Sequence, residues 1–187
     1  MTTRDKLVQA AATLLDRGGE QAVTLRAVGH AAGLSHNAPY KHFRNRDALL
    51  AAVAAADLES LTCTFADIRS STQSPKDELL AALGSLVTFS RERPARYRLV
   101  FSAPTLAQAD PDLQAQSAAC LGEIMAMVED CKKAGELPDA PTKSLASLFL
   151  ATIHGLVTME ANGMLQREKG LPTVEENLEM MASLLSG

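Results

Sequence analysis

Residues 24–46 constrain the fold of this chain most, because they predict two short helices joined by a glycine turn. Thr24 places a hydroxyl at the N-cap of the first of these helices, where a side-chain oxygen accepts a hydrogen bond from an unpaired backbone N–H. Gly33 follows at the position where a left-handed residue ends a helix. Ser35 is predicted to cap the second helix. The apolar face of the first helix is expected to comprise Leu25, Val28 and Ala32.

The second of these helices is predicted to have a small apolar inner face and a polar outer face. Ala38 and Phe43 are expected to point inward beside Leu34. The exposed candidates are His36, Asn37, Tyr40, Lys41 and His42. In a helix-turn-helix unit the second helix lies in the major groove of DNA while the first crosses the phosphate backbone. The segment therefore predicts a DNA-binding unit.

The charges of the chain are divided unevenly, in a way that agrees with DNA binding at one end. The formal net charge is -4 over 187 residues. Residues 1–46 contain seven Lys or Arg side chains against three Asp or Glu, a net charge of +4, so the remainder carries −8. A basic end attracts the phosphate backbone, and an acidic body resists non-specific wrapping. This distribution disfavours a generally basic nucleic-acid coat protein.

At the same residues the chain resembles the tetracycline-repressor (TetR) family of bacterial transcription regulators. The family pattern has Thr before the first helix, a small residue near its centre, Gly at the turn, an apolar residue and Ser, then Tyr-x-His-Phe and a Lys-led helix. The matching residues here are Thr24, Gly29, Gly33, Leu34, Ser35, Tyr40, His42, Phe43 and Arg46. Gly29 stands where Ala is usual, and Arg46 stands where Lys is usual. The resemblance is specific from residue 4 to about residue 60 and architectural beyond it.

The resemblance implies which side chains contact DNA. Phosphate contacts are implied for Thr24, Ser35, Tyr40, His42 and Arg46, because hydroxyls, helix N-termini and guanidinium groups bind backbone oxygens. The predicted contacts to base edges are His36, Asn37 and Lys41, and Arg26 completes the predicted DNA-binding set. Pro39 falls in the first turn of the second helix, so an irregular helix start is expected.

The rest of the sequence predicts helices, with no β alternation of useful length and no internal repeat. A first helix over residues 3–17 ends at Gly18-Gly19 and completes a three-helix domain, and a connector helix begins at Arg46. Further helices are predicted from Ser74-Pro75 to Pro94, from there to Pro104, and over 110–134, 141–165 and 173–185. The expected fold is all-α with about nine helices. Residues 1–46 are expected to form the helix-turn-helix DNA-binding domain, and residues 47–187 a helical-bundle effector-binding and dimerisation domain.

The eighth predicted helix is apolar on more than one face, which requires burial from two sides. The last helix, opened by a Thr173-x-x-Glu176 capping box, offers a matching stripe. The resemblance implies a four-helix bundle between two subunits here, hence a homodimer. The predicted interface residues are Leu156, Leu178, Met181 and Leu185. The alternative is that the eighth helix lies inside a monomer.

Aromatic and methionine side chains on the fifth to eighth helices predict a cavity for a small apolar or aromatic effector. The predicted lining residues are Phe89, Tyr97, Phe101, Met125, Phe149 and His154. The alternative for each is ordinary core packing. His154-Gly155 and the segment Pro94-x-x-Tyr97-Arg98-x-x-Phe101 resemble a TetR subgroup whose effector domain carries Trp-His-Gly. Ile153 replaces the Trp here.

Several classes of chemistry find no support in the sequence. No run approaches the roughly 18 apolar residues of a membrane span, and no apolar signal core opens the chain, so a cytoplasmic location is expected. Cys63, Cys120 and Cys131 lack C-x-x-C spacing, which disfavours a disulfide framework or zinc site; a redox sensor is the lesser alternative to buried thiols. No cofactor or metal is expected.

Taken together, these features predict a homodimeric DNA-binding transcription regulator, a repressor released from a palindromic operator by a small-molecule effector. The sequence also leaves two alternatives. One is an all-α protein-interaction module that does not use its helix-turn-helix unit on DNA, which the basic N-terminal end argues against. The other is an enzyme that pairs His154 with Glu160, but residues six apart point to different faces of a helix.

Overall fold

The computed structural model describes residues 1–70, 74–102, 110–165, 168 and 170–185. Within these residues it contains nine α-helices and no strand. The helices are α1 Thr3–Ala22, α2 Leu25–Ala31, α3 Ala38–His42, α4 Arg46–Arg69, α5 Pro75–Glu92, α6 Pro94–Ser102, α7 Pro111–Lys133, α8 Thr142–Ala161 and α9 Val174–Leu185. The predicted all-α fold class is confirmed.

The chain divides into two compact units, each built from two separate stretches of the sequence. Unit 1 is formed by the described residues of 1–60 and 92–119, and unit 2 by those of 61–91 and 120–187. The helices α4 and α7 each begin in unit 1 and end in unit 2. The functional boundary predicted between residues 46 and 47 concerns the roles of the two segments, and it stays a prediction.

In unit 1, α1 packs against α2, α3 and α6. Its core is built from fully buried aliphatic side chains together with Phe43 and Tyr97; the largest aliphatic members are Leu7, Leu15, Leu49, Leu50 and Leu99. Burial raises the pKa of Tyr97 to about 12. In α1 the helix breaks at Gly19, which has a φ of 65° and non-helical ψ, before a last turn reaches Ala22. The predicted stop at Gly18-Gly19 therefore corresponds to a kink.

In unit 2, α9 packs against α8. The core contains Phe65, Leu79, Leu83, Leu86, Ile124, Met127 and Phe149. Arg91, at the end of α5, pairs with Glu160 at the end of α8 and Glu175 at the start of α9, with nitrogen–oxygen distances of 2.6 Å to each. On α7, Ile124 and Val128 are buried in unit 2, whereas Leu121 is 41% exposed.

Helix ends follow the local sequence signals at most positions. Ser74 Oγ accepts a hydrogen bond from Asp77 N at 3.2 Å, and both halves of the Thr173/Glu176 capping box are formed. The eighth helix, however, ends at Ala161 instead of residue 165. Gly163 has a φ of 65°, which lets Met164 N donate back to Met159 O at 2.8 Å and closes the helix.

Two helices are long and apolar enough to cross a membrane by length and composition, so the expectation that no such run exists was wrong. They are Arg46–Arg69, with 61% of the apolar window buried, and Thr142–Ala161, with 28% buried. The physical reason is that many small alanines raise the mean hydropathy of α4. A core helix of a folded domain passes the same test, and the low burial of α8 leaves an apolar surface on unit 2.

Candidate nucleic-acid interface

The predicted first helix and turn of the helix-turn-helix unit are present in unit 1. Thr24 caps α2, because its Oγ1 accepts a hydrogen bond from Ala27 N at 3.1 Å. Gly33 has a φ of 66°, a conformation that residues with a side chain rarely adopt. This lets Leu34 N donate to Gly29 O at 3.0 Å, which closes the end of α2. Both predictions are confirmed.

The second helix begins later than predicted. Ser35 does not occupy the N-cap; its backbone oxygen accepts a hydrogen bond from Ala38 N at 2.9 Å in a turn, and Asn37 is the N-cap residue without a side-chain bond. The prediction that Ser35 caps the helix was wrong. Proline lacks an N–H and belongs in the first turn of a helix, so Pro39 fixes the start of α3 at Ala38. The start of α3 is irregular, as expected, because the N-cap residue Asn37 has a φ of -86° and a ψ of -15° instead of the extended backbone usual at an N-cap.

A close contact between Gly29 and Pro39 joins α2 to α3. Both residues are buried. A Cβ atom on Gly29 would lie 3.0 Å from Pro39 Cγ and 3.3 Å from Pro39 Cδ. The glycine thus leaves room for the proline ring. The sequence contains both residues, but nothing in their spacing of ten positions signals that they touch.

The side chains predicted to face DNA are exposed. They are His36, Asn37, Tyr40, Lys41 and His42, and Thr24, Arg26 and Ser35 are exposed as well. Phe43 is buried, as expected, and the guanidinium of Arg4 lies over its ring with 5.6 Å to the ring centre. This cation–π contact fastens the end of α3 to the first turn of α1.

Arg46 has structural contacts that sequence reasoning did not predict. Its Nε donates to Val23 O at 2.9 Å, and its Nη2 donates to Glu20 O. The same guanidinium lies 3.6 Å from the Glu20 carboxylate. Arg46 therefore joins the first residue of α4 to backbone carbonyls at the end of α1. Contact with a DNA phosphate, implied by the resemblance, stays a prediction for this residue.

The charge of the helix-turn-helix segment has one sign. Residues 21–45 contain Arg26, Lys41 and Arg44 and no Asp or Glu, and all three cations are exposed. No carboxylate of this segment competes with a phosphate for them. The segment thus presents a positive surface beside the polar side chains of α3, the combination that DNA-binding surfaces share.

The residues predicted to line an effector cavity fall in both units. In unit 1, Tyr97 is buried and Phe101 half-buried, and their ring centres are 4.9 Å apart. In unit 2, Phe149 is fully buried, while Phe89, Met125 and His154 are half-buried. Burial lowers the pKa of His154, so the imidazole favours its neutral form. The cavity itself stays a prediction.

The predicted dimer residues on α8 and α9 differ in exposure. Leu178 is buried within unit 2, with 3% of its surface exposed, so its side chain is not available to a second subunit. The other three, Leu156, Met181 and Leu185, are half-buried. The exposed large apolar side chains of these helices are Leu148 (54%), Met180 (61%) and Leu184 (74%). These three side chains lie on two helices that pack against each other, and they are the apolar surface of α8 and α9 that the protomer leaves uncovered.

The remaining candidates for chemistry are the cysteines and the described acidic and histidine side chains. Burial raises the pKa of Cys120 to about 11 and that of Cys131 to about 12, so both thiols are protonated near neutral pH, which disfavours the redox alternative for them. Cys63 is exposed. Among the described residues no group of three His, Cys, Asp or Glu side chains is placed to hold a metal ion.

Two family models match the chain. The model described as "Bacterial regulatory proteins, tetR family" matches residues 7–53. The model described as "Tetracyclin repressor-like, C-terminal domain" matches residues 79–185, more than half of the chain. Among known proteins, an uncharacterized HTH-type transcriptional regulator of Mycobacterium tuberculosis is 23% identical over 163 residues, which cover 87% of this chain and 72% of the relative.

Solved structures share the fold over nearly the whole length. A protein of unknown function from Rhodococcus sp. RHA1 has a TM-score of 0.84 at 26% identity and covers 100% of this chain and 94% of its own. The transcriptional regulator FadR from Bacillus subtilis, solved in complex with stearoyl-CoA, has a TM-score of 0.73 at 14% identity. The match covers 98% of this chain and 97% of the FadR chain. At that identity the likeness concerns the fold alone.

Proposed function

Since this chain belongs to the tetR family of bacterial transcription regulators, we propose that it is a repressor that binds a palindromic operator as a homodimer and is released by a small molecule. Repression and dimerisation are typical of the family. The chain is a DNA-binding transcription regulator; the operator geometry, the effector and the residue roles below are the proposal.

The observation that carries the proposal is the surface of α3 and its surroundings. Polar side chains able to bond base edges are exposed on α3 and the turn before it, and the segment 21–45 has three exposed cations and no carboxylate. A groove-binding helix needs both, because phosphate contacts position the protein and base contacts select the sequence.

Two groups of side chains divide this work in the proposal. The phosphate contacts are Thr24, Ser35, Tyr40, His42 and Arg46, with Arg26 as an additional cation. The contacts to base edges are His36, Asn37 and Lys41. Amide groups suit adenine, and a lysine suits guanine, in the major groove.

The test measures binding of fluorescent DNA fragments taken from beside the gene. We expect Asn37→Ala and Lys41→Ala to change which base substitutions the protein tolerates, by about 1–3 kcal/mol at the position each side chain contacts. Lys143→Ala, which removes an exposed lysine from α8, is the matched control and should leave the preference unchanged. Binding that never exceeds the affinity for unrelated DNA would refute the proposed function.

The proposed dimer uses the apolar surface of α8 and α9. Leu148, Met180 and Leu184 are exposed there, and only 28% of the apolar window of α8 is buried in the protomer. Covering this surface with a second copy explains why a helix of this hydropathy is left open. A two-fold dimer presents two α3 helices, and two half-sites related by a dyad form a palindrome.

The proposed effector is a small apolar or aromatic molecule bound by the body of the protein. Support comes from the half-buried Phe89, Met125 and His154 in unit 2, since methionine and aromatic side chains adapt to apolar ligands. A structural neighbour was solved with stearoyl-CoA, a ligand with a long apolar chain. A ligand changes operator affinity only through different affinities for the two states of the protein, typically a 5- to 150-fold effect, about 1–3 kcal/mol.

A panel of fatty acyl and aromatic compounds tests the effector. We expect at least one compound to raise the melting temperature and to weaken operator binding in the same concentration range. His154→Leu should weaken that effect if the imidazole anchors the ligand and leave it unchanged if His154 is core. The absence of any compound with both effects would favour a regulator controlled by its own abundance.

The finer assignments are also part of the proposal. We place the chain in the subgroup with a Trp-His-Gly-type effector domain on the basis of His154-Gly155 and Pro94-x-x-Tyr97-Arg98. We further propose that it works in the cytoplasm, where its DNA is, and that it acts by binding without catalysing a reaction. In unit 2 the Glu160 carboxylate is paired with Arg91, which leaves it poorly placed as a partner for His154.

A further inference from the structure

Arg96 of α6 binds carboxylates from two other helices of unit 1. Its Nε and Nη2 donate to Asp16 of α1 at 2.9 Å and 2.6 Å, one to each carboxylate oxygen. Its Nη1 donates to Asp57 of α4 at 3.0 Å. Only 13% of the Arg96 side chain is exposed. One guanidinium thus joins three helices that are far apart in the sequence.

The contact with Asp16 restricts orientation as well as distance. Two parallel hydrogen bonds between a planar guanidinium and a carboxylate fix the angle between the two side chains, which a single bond from a lysine does not. Asp16 lies on α1, which packs against α2 and α3. An anchor on α1 therefore limits how the helix-turn-helix unit turns relative to α6.

The contact with Asp57 holds Arg96 in place. Asp57 is 7% exposed, and its Oδ2 is buried without a hydrogen-bond partner. Burial raises the pKa of Asp57, while the charge of Arg96 opposes that rise. The charge of Arg93 also favours the ionised form of Asp57, but the hydrogen bond comes from Arg96, so the departure of Arg96 from this buried carboxylate is costly. The contact between Arg96 and Asp57 is therefore the one that is harder to break. The contact with Asp16 is easier to break, because 32% of the Asp16 side chain is exposed.

We infer that Arg96 is a positioning residue for operator binding, which acts by holding α1 through Asp16. This inference rests on the proposed DNA binding. A dimer must place two α3 helices at a fixed separation. A helix-turn-helix segment that can turn relative to α6 loses orientational freedom when it binds DNA. Anchoring α1 in advance reduces that loss, in the way that preorganisation strengthens other complexes.

The decisive variant is Asp16→Asn, which removes the charged two-bond contact between α1 and Arg96 and leaves Arg96 paired with Asp57. We expect operator affinity to fall about fivefold, the lower end of typical coupling effects, with no change in the salt dependence, because no phosphate contact is lost. Asp16→Glu keeps a two-oxygen partner and should restore most of the affinity. Glu59→Gln removes the same charge from an exposed position of α4 in unit 1 and should not weaken binding.

Hydrogen exchange provides a readout that does not depend on DNA. In Asp16→Asn we expect faster amide exchange in α1 and unchanged exchange in α9, a difference that uniform destabilisation would not produce. Arg96→Lys keeps the charge but not the two-bond geometry. It should show the same faster amide exchange in α1 as Asp16→Asn. Unchanged exchange in α1, or operator binding equal to or tighter than that of the wild type, would overturn the inference. Wild-type protein that binds no operator would instead refute the proposed function.

Discussion

Arg46 allows a structural role and a DNA-contacting role to be separated by two substitutions. Its guanidinium donates to Val23 O and Glu20 O, and 38% of the side chain is exposed. A hydrogen bond from a charged donor stabilises a fold by about 1.5–3 kcal/mol when buried and by much less when solvent screens it. For the two bonds together, at this exposure, we expect about 1–2 kcal/mol.

Arg46→Ala should therefore lower the melting temperature by roughly 2–8 °C, the shift that 1–2 kcal/mol produces in a chain of this size. It should also reduce the slope of log affinity against log salt by about one, if the side chain contacts a phosphate. Arg46→Lys keeps one positive charge but cannot serve two carbonyls in the same geometry. It should keep the salt slope and show most of the loss in melting temperature.

The assays are thermal unfolding without DNA and operator titrations between about 50 mM and 200 mM salt. Arg44→Ala is the matched control, because Arg44 is an exposed neighbour in the same basic segment. It should change the melting temperature little. If Arg46→Lys melts like the wild type, the carbonyl contacts do not stabilise the fold and the reasoning fails.

Two further predictions concern unit 2. Leu184→Glu should produce monomers in light scattering and abolish tight operator binding, because Leu184 is 74% exposed on the proposed interface. The control Leu121→Glu on α7 should leave the dimer intact. The reverse result would show that the interface lies elsewhere. Burial lowers the pKa of His154 below 6.5 in the folded protein. As the pH falls below about 6.5, His154 is therefore protonated in the unfolded chain before it is protonated in the folded protein. The free energy of unfolding decreases with falling pH until the lowered pKa is passed. His154→Gln should flatten the melting temperature between pH 5 and 7, and a slope equal to that of the wild type would contradict the assignment.

Local signals in the sequence were sufficient for most helix boundaries. The caps at Thr24, Ser74 and Thr173 and the turn at Gly33 involve residues three to five positions apart, so one short window contains both partners. Where a local prediction was wrong, another local rule prevailed. Pro39 set the start of α3 and displaced Ser35 from its expected role.

Contacts between distant residues were not predictable in the same way. Arg46 and Val23 are 23 positions apart, and Arg96 and Asp16 are 80 positions apart. Nothing about an arginine in a helix indicates which of the chain's carboxylates or carbonyls it meets, because the packing of whole helices decides this. For the same reason, hydrophobic periodicity placed Leu178 on an apolar face without indicating that its own unit covers it.

The shortness of α3 limits how much DNA sequence one subunit can recognise. Its five residues span about 7.5 Å, at a rise of about 1.5 Å each. Base pairs are spaced ~3.4 Å apart, so the helix faces roughly two of them directly. A genome offers about 10⁶ or more competing positions, and choosing one takes about ten specified base pairs.

The two α3 helices of a dimer face about four base pairs, less than half of the roughly ten that are needed. The remainder must come from the turn before α3, from DNA deformability and from the distance between the half-sites. The distance between the half-sites is thus one of the features by which this protein selects its operator. An operator with both half-sites intact but one base pair inserted between them should therefore bind this protein more weakly than the uninterrupted operator.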